Sequence, residues 1–122
     1  MSYKIAQTKT TPYAEFNSGC LVIRGKSFPL DRPEVFDTIQ DRLLIYFQNP
    51  EKHFCIDFYL SVLNGISKRF IINTFKLLEQ LIEKDSDLEI NWFYQFDNTD
   101  IKEFGEICKS FFKLNIVVKI GV

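Results

Sequence analysis

The amino-acid sequence predicts a single α/β domain over residues 1–122, with one mixed sheet of about five strands and helices packed on the sheet. His53 to Leu60 and Leu88 to Phe96 both place apolar residues at every second position, which is the period of a β-strand. Between and after these segments, apolar residues recur every three or four positions, as in amphipathic helices. With 122 residues, 46% of them hydrophobic, the chain can form one core of ordinary size but not two.

A β-hairpin is predicted near the start of the chain. Tyr13 to Phe16 and Cys20 to Arg24 are rich in residues that favour strands. Asn17, Ser18 and Gly19 lie between them and tolerate the backbone conformations of a tight turn.

The first helix is predicted to begin at a cap formed by Asp31 and Glu34, which have the spacing of a capping box. Pro33 falls in the first turn, where its missing N–H costs little. The helix is expected to end near Asn49-Pro50. Its apolar stripe consists of Phe36, Ile39, Leu43, Tyr46 and Phe47.

The remaining elements give the order ββαβαβαβ. The strand His53 to Leu60 is apolar enough to be a central strand covered on both faces. A second helix is predicted from about Ser67 to Lys84, a third from near Asp97, and a closing strand from Ile116 to Ile120. Strands separated by helices are expected to be parallel, through right-handed crossovers, and the hairpin strand is the antiparallel exception.

Composition argues against several classes of partner and location. Fifteen basic and sixteen acidic residues leave no basic excess for neutralising phosphates, so nucleic acid is not an expected partner. No secretory signal and no stretch of roughly 18 apolar residues is present, so a cytoplasmic protein without membrane contact is expected. The three cysteines are odd in number and widely spaced, which predicts buried, reduced thiols at Cys20, Cys55 and Cys108.

No pattern of catalytic residues stands out, so neither an enzyme nor a bound cofactor is predicted. His53 is the single histidine and has no nucleophile motif beside it. Gly25-Lys26-Ser27 resembles the end of a phosphate-binding loop, but the upstream glycine is missing and Phe28-Pro29 follows where a helix should begin.

The acidic residues Asp97, Asp100, Glu103 and Glu106 form the densest charged group. Their oxygens could bind a divalent cation. The simpler interpretation is that Asp97 caps the third helix, Asp100 complements its dipole, and the two glutamates face solvent. We therefore predict no metal site here, while an acidic surface for a protein partner, centred on Asp97 and Asp100, remains a third interpretation.

The segment from Asn64 to Arg69 follows a central strand and opens a helix, where ligands gather in α/β sheets. If Asn64 caps the helix, Ser67 lies in the first turn, and free backbone N–H groups with Lys68 and Arg69 would favour a phosphate. Ser67 is thus a candidate phosphorylation site. The alternative is a serine that merely helps to start the helix.

Several motifs occur together in a characteristic order. They are Thr11-Pro12, the segment from Gly25 to Pro29, Asp57-Phe58-Tyr59-Leu60 followed by Asn64, and the aromatic and acidic block from Trp92 to Glu106. In this combination, over nearly the whole chain, the sequence resembles the SiaC family of bacterial regulatory phosphoproteins. The resemblance implies a fold similar to STAS domains, the domains of anti-sigma-factor antagonists.

The resemblance also implies a partner switch that is itself not an enzyme. A Ser/Thr kinase of the histidine-kinase-like ATPase type would phosphorylate the start of the second helix, and a PP2C-type phosphatase would remove the phosphate. The unphosphorylated protein would bind and activate a diguanylate cyclase, linking it to cyclic-di-GMP and biofilm regulation.

This chain departs from the family at the proposed switch. Two hydroxyl residues expected after Asn64 are replaced by Gly65 and Ile66, which leaves Ser67 as the acceptor. The partner surface is predicted to include Asn64, Gly65, Ile66, Lys68 and Arg69. Two alternatives are a constitutive protein-binding module that has lost its phosphosite and, with less support, a small metal-dependent enzyme.

Overall fold

The computed structural model describes residues 3–31, 34–48, 53–82 and 87–121. Within these residues the order is βββαβαβαβ, so the predicted α/β class with a mixed sheet is confirmed, with one strand more than expected. The elements are β1 Tyr3–Ile5, β2 Tyr13–Asn17, β3 Cys20–Ser27, α1 Glu34–Gln48, β4 His53–Leu63, α2 Gly65–Leu81, β5 Asp87–Tyr94, α3 Thr99–Phe111 and β6 Ile116–Ile120.

The six strands form one sheet in which each strand pairs with its neighbours in sequence, in the order β1-β2-β3-β4-β5-β6. The pairs β1–β2 and β2–β3 are antiparallel, and every later pair is parallel. The predicted hairpin is confirmed: Asn17 pairs with Cys20, and Gly19 has the positive φ, 83°, that the turn requires. The second hairpin strand continues to Ser27, three residues beyond the predicted end.

All three helices pack on the same face of the sheet. One aromatic residue of each helix contacts an aromatic residue on this face of β4 or β5. The pairs are Tyr46 with Phe54, Phe75 with Phe58, and Phe104 with Trp92, at ring-centroid distances of 4.2, 5.9 and 5.6 Å. The hydrophobic core therefore lies between this face and the three helices.

The opposite face of the sheet, which we call the helix-free face, carries Cys55, Asp57 and Tyr59 of β4, each half-buried. Their side chains contact neighbouring strands: Asp57 accepts a hydrogen bond from Asn91 Nδ2 at 2.8 Å, and the ring of Tyr59 stacks on Phe93 at 4.3 Å. The prediction of a central strand was right in position, but the prediction that both its faces are well covered was wrong, since the residues on the helix-free face are only half-buried. The aromatic rings of Tyr59 and Phe93 on this face pack against each other across neighbouring strands.

Both later helices begin at asparagine caps, and the predicted cap of the third helix was wrong. Asn98 Oδ1 accepts a hydrogen bond from the N–H of Ile101 at 3.3 Å, and its Nδ2 donates to the carbonyl of Ser61 at 2.9 Å. An aspartate could make the first bond but not the second. Asp97 lies one residue earlier and is exposed.

Other predicted element ends shift by a few residues. The second helix starts at Gly65, two residues before the predicted start, while the closing strand matches its prediction. β4 continues to Leu63 instead of ending at Leu60, and β5 runs from Asp87 to Tyr94 instead of from Leu88 to Phe96. Pro33, Asn49-Pro50 and Lys84, named in the predictions for the first two helices, lie outside the described residues.

Trp92 joins the sheet to α3. Its side chain is 1% exposed, and its Nε1 donates a hydrogen bond to the carbonyl of Ile101 at 2.8 Å. The ring lies against Gly105, where an added Cβ would fall 2.6 Å from Trp92 Nε1. Only a glycine allows α3 to approach this closely.

We expect Gly105→Ala to lower the free energy of unfolding by about 1–3 kcal/mol, because the methyl group overpacks the contact with Trp92. Urea denaturation followed by fluorescence of Trp92, the single tryptophan, measures the effect. Gly65→Ala is the matched control, since no heavy atom lies within 4 Å of its added Cβ. Equal losses in the two variants would contradict the packing argument.

Replacing the observed cap should cost more than replacing the predicted one. Asn98→Ala is expected to lower the free energy of unfolding by about 0.5–2 kcal/mol, the usual cost of a lost cap. Asp97→Ala, at an exposed position outside the helix, should change it by less than about 0.5 kcal/mol. Chemical denaturation of both variants decides, and a larger loss for Asp97→Ala would reject Asn98 as the cap.

Candidate functional site

The polar residues predicted from the sequence meet at one edge of the sheet. Because β3, β4 and β5 are parallel, their carboxyl ends lie side by side, and each leads into a helix. We call the loops and first helical turns at this edge the carboxyl edge. It contains residues 27–31, 61–69 and 95–101.

Asn64 ties the start of α2 to the end of β3. Its Oδ1 accepts a hydrogen bond from the N–H of Ser67 at 3.0 Å, and its Nδ2 donates to the carbonyl of Pro29 at 2.5 Å. Its own N–H donates to the carbonyl of Ser27 at 3.1 Å. The predicted cap at Asn64 is confirmed, and the same side chain also fixes the loop after β3.

Ser67 lies inside this junction with 0% of its surface exposed. Its Oγ lies 3.0 Å from the carbonyl oxygen of Ser27 and 3.0 Å from Asn64 Oδ1, either of which can accept its proton. Ser27 Oγ, also buried, lies 2.5 Å away and can donate to Ser67 Oγ in turn. Both hydroxyls are therefore satisfied by neighbours within the protein.

Ser67 lies in the first turn of α2, as predicted, but its side chain is buried inside the junction. Because α2 begins at Gly65, Ser67 is the third helical residue and faces the end of β3. Its N–H is already bound by Asn64. Gly65, by contrast, is exposed at the first helical position.

Two of the predicted partner residues face a groove between α1 and α2. Ile66 and Arg69 line this groove, which has a volume of about 460 Å³. Phe36 and Phe70 form part of the wall and stack on each other at 4.1 Å. Leu30, 89% exposed, lies at the same groove.

Two other predicted residues lie on the opposite side of the α2 start. Lys68 and Asp100 line a smaller recess of about 160 Å³ between the end of β4 and the start of α3. Lys68 Nζ also lies 5.6 Å from the centroid of the Phe104 ring. Asp97 is exposed and lines neither this recess nor the groove. The structure thus places Ile66 and Arg69 at the groove and Lys68 and Asp100 at the recess, on different sides of the α2 start, and leaves Asp97 apart from both.

Exposed apolar side chains surround this junction, and the sequence analysis did not identify them as functional. They follow or end the three parallel strands: Phe28, Leu30, Val62 and Phe96, with exposures of 36%, 89%, 41% and 82%. Their sequence signal was weak, since single apolar residues at strand ends also occur in cores. Grouped at one edge, they form a surface suited to another protein.

The four acidic residues of the predicted group do not bring three potential ligand atoms within 4.8 Å of one another. Asp97, Asp100, Glu103 and Glu106 are all exposed. In the described part of the chain, one group of three potential ligands brings its atoms within 4.8 Å of one another, and none of these acidic residues belongs to it. That group is Cys20, Cys55 and Asp57, on the helix-free face.

The cysteines differ from the predicted state. Cys20 and Cys55 form a disulfide, so the prediction of reduced thiols was wrong for this pair. Cys108 is free and buried in α3, as predicted. The reason is the register of the two strands, which places Cys20 of β3 directly opposite Cys55 of β4. The two residues are 35 positions apart in the sequence, so local patterns do not indicate that they are neighbours.

His53 lies far from the carboxyl edge, at the first residue of β4. Its Nδ1 lies 2.9 Å from Asp87 Oδ2, and both side chains are exposed. None of the helices within the described ranges is long and apolar enough to cross a membrane.

Comparison with known proteins adds a family to this geometry. Residues 5–120 match the family described as SiaC family regulatory phosphoprotein. No curated protein matches the chain at a significant level.

Three solved structures share the fold. A chain in the crystal structure of the diguanylate cyclase SiaD in complex with its activator SiaC, from Pseudomonas aeruginosa, is 21% identical with a TM-score of 0.88 over 98% of this chain and 99% of that one. Apo-SiaC from the same organism is 21% identical with a TM-score of 0.85, over 98% of each chain. A further structure of SiaC from that organism is 20% identical with a TM-score of 0.87, over 99% of each chain. With the match over residues 5–120, the chain belongs to the SiaC family of regulatory phosphoproteins.

Proposed function

We propose that this protein is a partner switch that binds and modulates a diguanylate cyclase through its carboxyl edge, under control of phosphorylation at Ser67. Membership of the family supports a regulatory role. A similar chain occurs in a complex in which SiaC is the activator of the cyclase SiaD. The kinase and phosphatase would be of the classes that the family resemblance implies, namely a histidine-kinase-like ATPase and a PP2C-type enzyme. Since these enzymes and the cyclase act on nucleotides or phosphoproteins of the cell interior, we place the protein in the cytoplasm.

The observation that carries this proposal is the cluster of exposed apolar side chains at the carboxyl edge. Leu30 and Phe96 are 89% and 82% exposed, on either side of the α2 start. Apolar groups exposed to water in one place favour a contact that removes them from water. The groove beside Leu30 adds a concave surface that an apolar side chain of the partner can enter.

Charges beside the groove and the recess would orient the partner. Arg69 and Asp31 line the groove, whereas Lys68 and Asp100 line the recess. Charged groups at the rim of an interface contribute more to specificity and association rate than to affinity. The carboxyl edge thus combines exposed apolar side chains with charged residues of both signs, as protein interfaces do.

The burial of Ser67 changes how a phosphate would act. A phosphate adds about −1.5 to −2 charges and three oxygens, for which the buried position beside Ser27 has no room. The kinase must therefore act when the first turn of α2 has moved away from the end of β3. Once attached, the phosphate would prevent this turn from returning, and Lys68 and Arg69 would be near enough in sequence to pair with it.

The switch would then change the shape of the carboxyl edge. Displacing the first turn moves Ile66 and Arg69, which form part of the groove wall. A partner that docks against this groove would lose both the groove and the apolar surface beside it. Binding and phosphorylation are expected to exclude each other for this reason.

The second candidate is a constitutive binding module, and the specific observation in its favour is also the burial of Ser67. A hydroxyl that is 0% exposed and bonded to Ser27 and Asn64 serves a structural purpose without any modification. In this case the carboxyl edge would bind the partner at all times.

For the binding surface, we expect Leu30→Asp to weaken binding to the diguanylate cyclase of the same organism at least tenfold. The substitution places a charge in the apolar contact but leaves the fold intact, because Leu30 is 89% exposed. Isothermal calorimetry measures the affinity, and the rate of cyclic-di-GMP formation measures the effect on the cyclase. Ile107→Asp, on the outer face of α3 and 62% exposed, is the matched control. Equal effects of the two variants would remove the carboxyl edge from the interface.

For the switch, Ser67→Ala should lower the free energy of unfolding by about 1–3 kcal/mol, through loss of a buried hydrogen-bonding group. Ser67→Asp should lower it further, because a buried carboxylate has no cationic partner in the junction. Ser67→Asp should also reduce partner binding at least tenfold. Ser18→Asp, at an exposed position of the hairpin turn before β3 and so at the opposite end of the sheet from the carboxyl edge, is the control and should change neither quantity appreciably.

Mass spectrometry after incubation with the kinase separates the two candidates. The partner switch requires phosphate on Ser67 in the wild-type protein and none in Ser67→Ala. Phosphate on another residue, or normal partner binding by Ser67→Asp, would reject the switch in favour of the constitutive module.

A further inference from the structure

The helix-free face contains a pair of cysteines that the proposed partner switch does not use. Cys20 is the first residue of β3, and Cys55 lies directly opposite in the parallel strand β4. Their Cα atoms are 4.7 Å apart and their sulfurs are bonded to each other. This separation lies within the range of disulfides and equals the normal spacing of neighbouring strands.

We propose that Cys20 and Cys55 form a thiol–disulfide exchange site, which small or protein dithiols reduce and disulfide oxidants re-form while the protein stays folded. The inference is independent of the proposed partner switch, because it rests on the opposite face of β4 from the packed core. It assigns a chemical reactivity to a face that no helix covers in the described residues.

Access to solvent supports the proposal. Cys20 and Cys55 are half-buried on the helix-free face, so a reductant can approach a sulfur without opening the core. Cys108 provides the contrast: it is 2% exposed on the buried side of α3, and burial raises the pKa of its thiol to about 11. Thiol exchange requires an accessible sulfur and a thiolate, and Cys108 offers neither at neutral pH.

The backbone suits both states of the pair. The spacing between β3 and β4 is set by hydrogen bonds along the whole parallel ladder, from Cys20–Cys55 to Ser27–Leu63. Breaking the sulfur–sulfur bond therefore requires no movement of the strands. The reduced Cys20 also has an acceptor for its S–H, because Asp57 Oδ2 lies 4.0 Å from its Sγ.

The surroundings of Asp57 keep this acceptor in place. Asn91 Nδ2 donates a hydrogen bond to Asp57 Oδ1 at 2.8 Å. Among the described residues, Asn91 Oδ1 is buried without a hydrogen-bond partner, while Asn91 Nδ2 is held by Asp57. The carboxylate thus has one oxygen bound to Asn91 and the other directed towards Cys20.

The reaction balances as an ordinary two-electron exchange. A thiolate of the dithiol attacks one sulfur of the pair, the sulfur–sulfur bond breaks, and the other cysteine leaves as a thiolate that takes up a proton. The second thiol of the reductant then displaces the first cysteine. Cys20 and Cys55 gain two electrons and two protons in total, and the reductant becomes a disulfide.

The test uses the whole chain with dithiothreitol as reductant and oxidised glutathione as oxidant. Accessible thiols are counted by maleimide labelling and mass spectrometry without denaturant, and the thermal midpoint is measured in each state. After oxidation we expect no label on Cys20 or Cys55, and after reduction we expect label on both. Reduction should lower the thermal midpoint on the order of 10 °C, because the bond closes a loop of 35 residues that contains α1.

Matched variants separate this site from the remaining thiol. Cys108→Ala should keep both the labelling change and the shift in thermal midpoint. Cys20→Ser with Cys55→Ser should fold, as judged by circular dichroism, and its thermal midpoint should not respond to reductant. In the wild-type protein, re-oxidation with oxidised glutathione is expected to restore the original thermal midpoint.

Three outcomes would overturn the proposal. The first is label on both cysteines after treatment with oxidised glutathione, since no disulfide then forms. The second is a disulfide that dithiothreitol opens only in urea, which would make it a permanent structural bond. The third is one zinc ion retained per chain and lost in Cys55→Ser, because Cys20, Cys55 and Asp57 would then be metal ligands.

Discussion

The handedness of the connections between parallel strands is the constraint from which most of this structure follows. Strands β3 to β6 lie side by side in sequence order, and each connection passes through one helix. Right-handed crossovers in a sequential sheet place every helix on the same face. One face of the sheet therefore packs against the helices and forms the core, and the other face is helix-free. The three loops that lead from a strand into a helix all lie at the carboxyl edge. The candidate binding site and the cysteine pair occupy two surfaces that this one constraint creates.

Two asparagine side chains connect the helix starts at the carboxyl edge to neighbouring strands and loops. Asn64 caps α2 and also donates to the carbonyl of Pro29 after β3, while Asn98 caps α3 and donates to the carbonyl of Ser61 in β4. The start of α2 is thus bound to the loop after β3, and the start of α3 is bound to β4. Ser67 adds a buried link of the same kind to Ser27. A modification of Ser67 would alter the position of α2 relative to β3. A small chemical change at this one residue would therefore change the shape of the whole carboxyl edge.

The predictions that succeeded depended on patterns of neighbouring residues. The strands of the hairpin, the closing strand and the helices each show a residue pattern that extends over several neighbouring positions. Each further position that fits the pattern strengthens the prediction. Strand β1 was missed because Tyr3–Ile5 is too short to show a period and is a strand only through its pairing with β2. The cap of α3 was assigned to Asp97 because acidic residues suit a helix start, whereas the bond from Asn98 to Ser61 spans 37 positions and has no local signal.

The sequence by itself determined the α/β class, the order of the main elements, the segment around Asn64 as the centre of the candidate site, and the resemblance to the SiaC family. These depend on periodicity and on motifs that neighbouring residues define. Only the tertiary structure decided that Ser67 is buried against Ser27 and that Cys20 is bonded to Cys55. Both pairs join β3 to β4 or to the helix after it, at separations of 40 and 35 residues. Such contacts are fixed by the register of two strands, and register is settled by packing of the whole sheet.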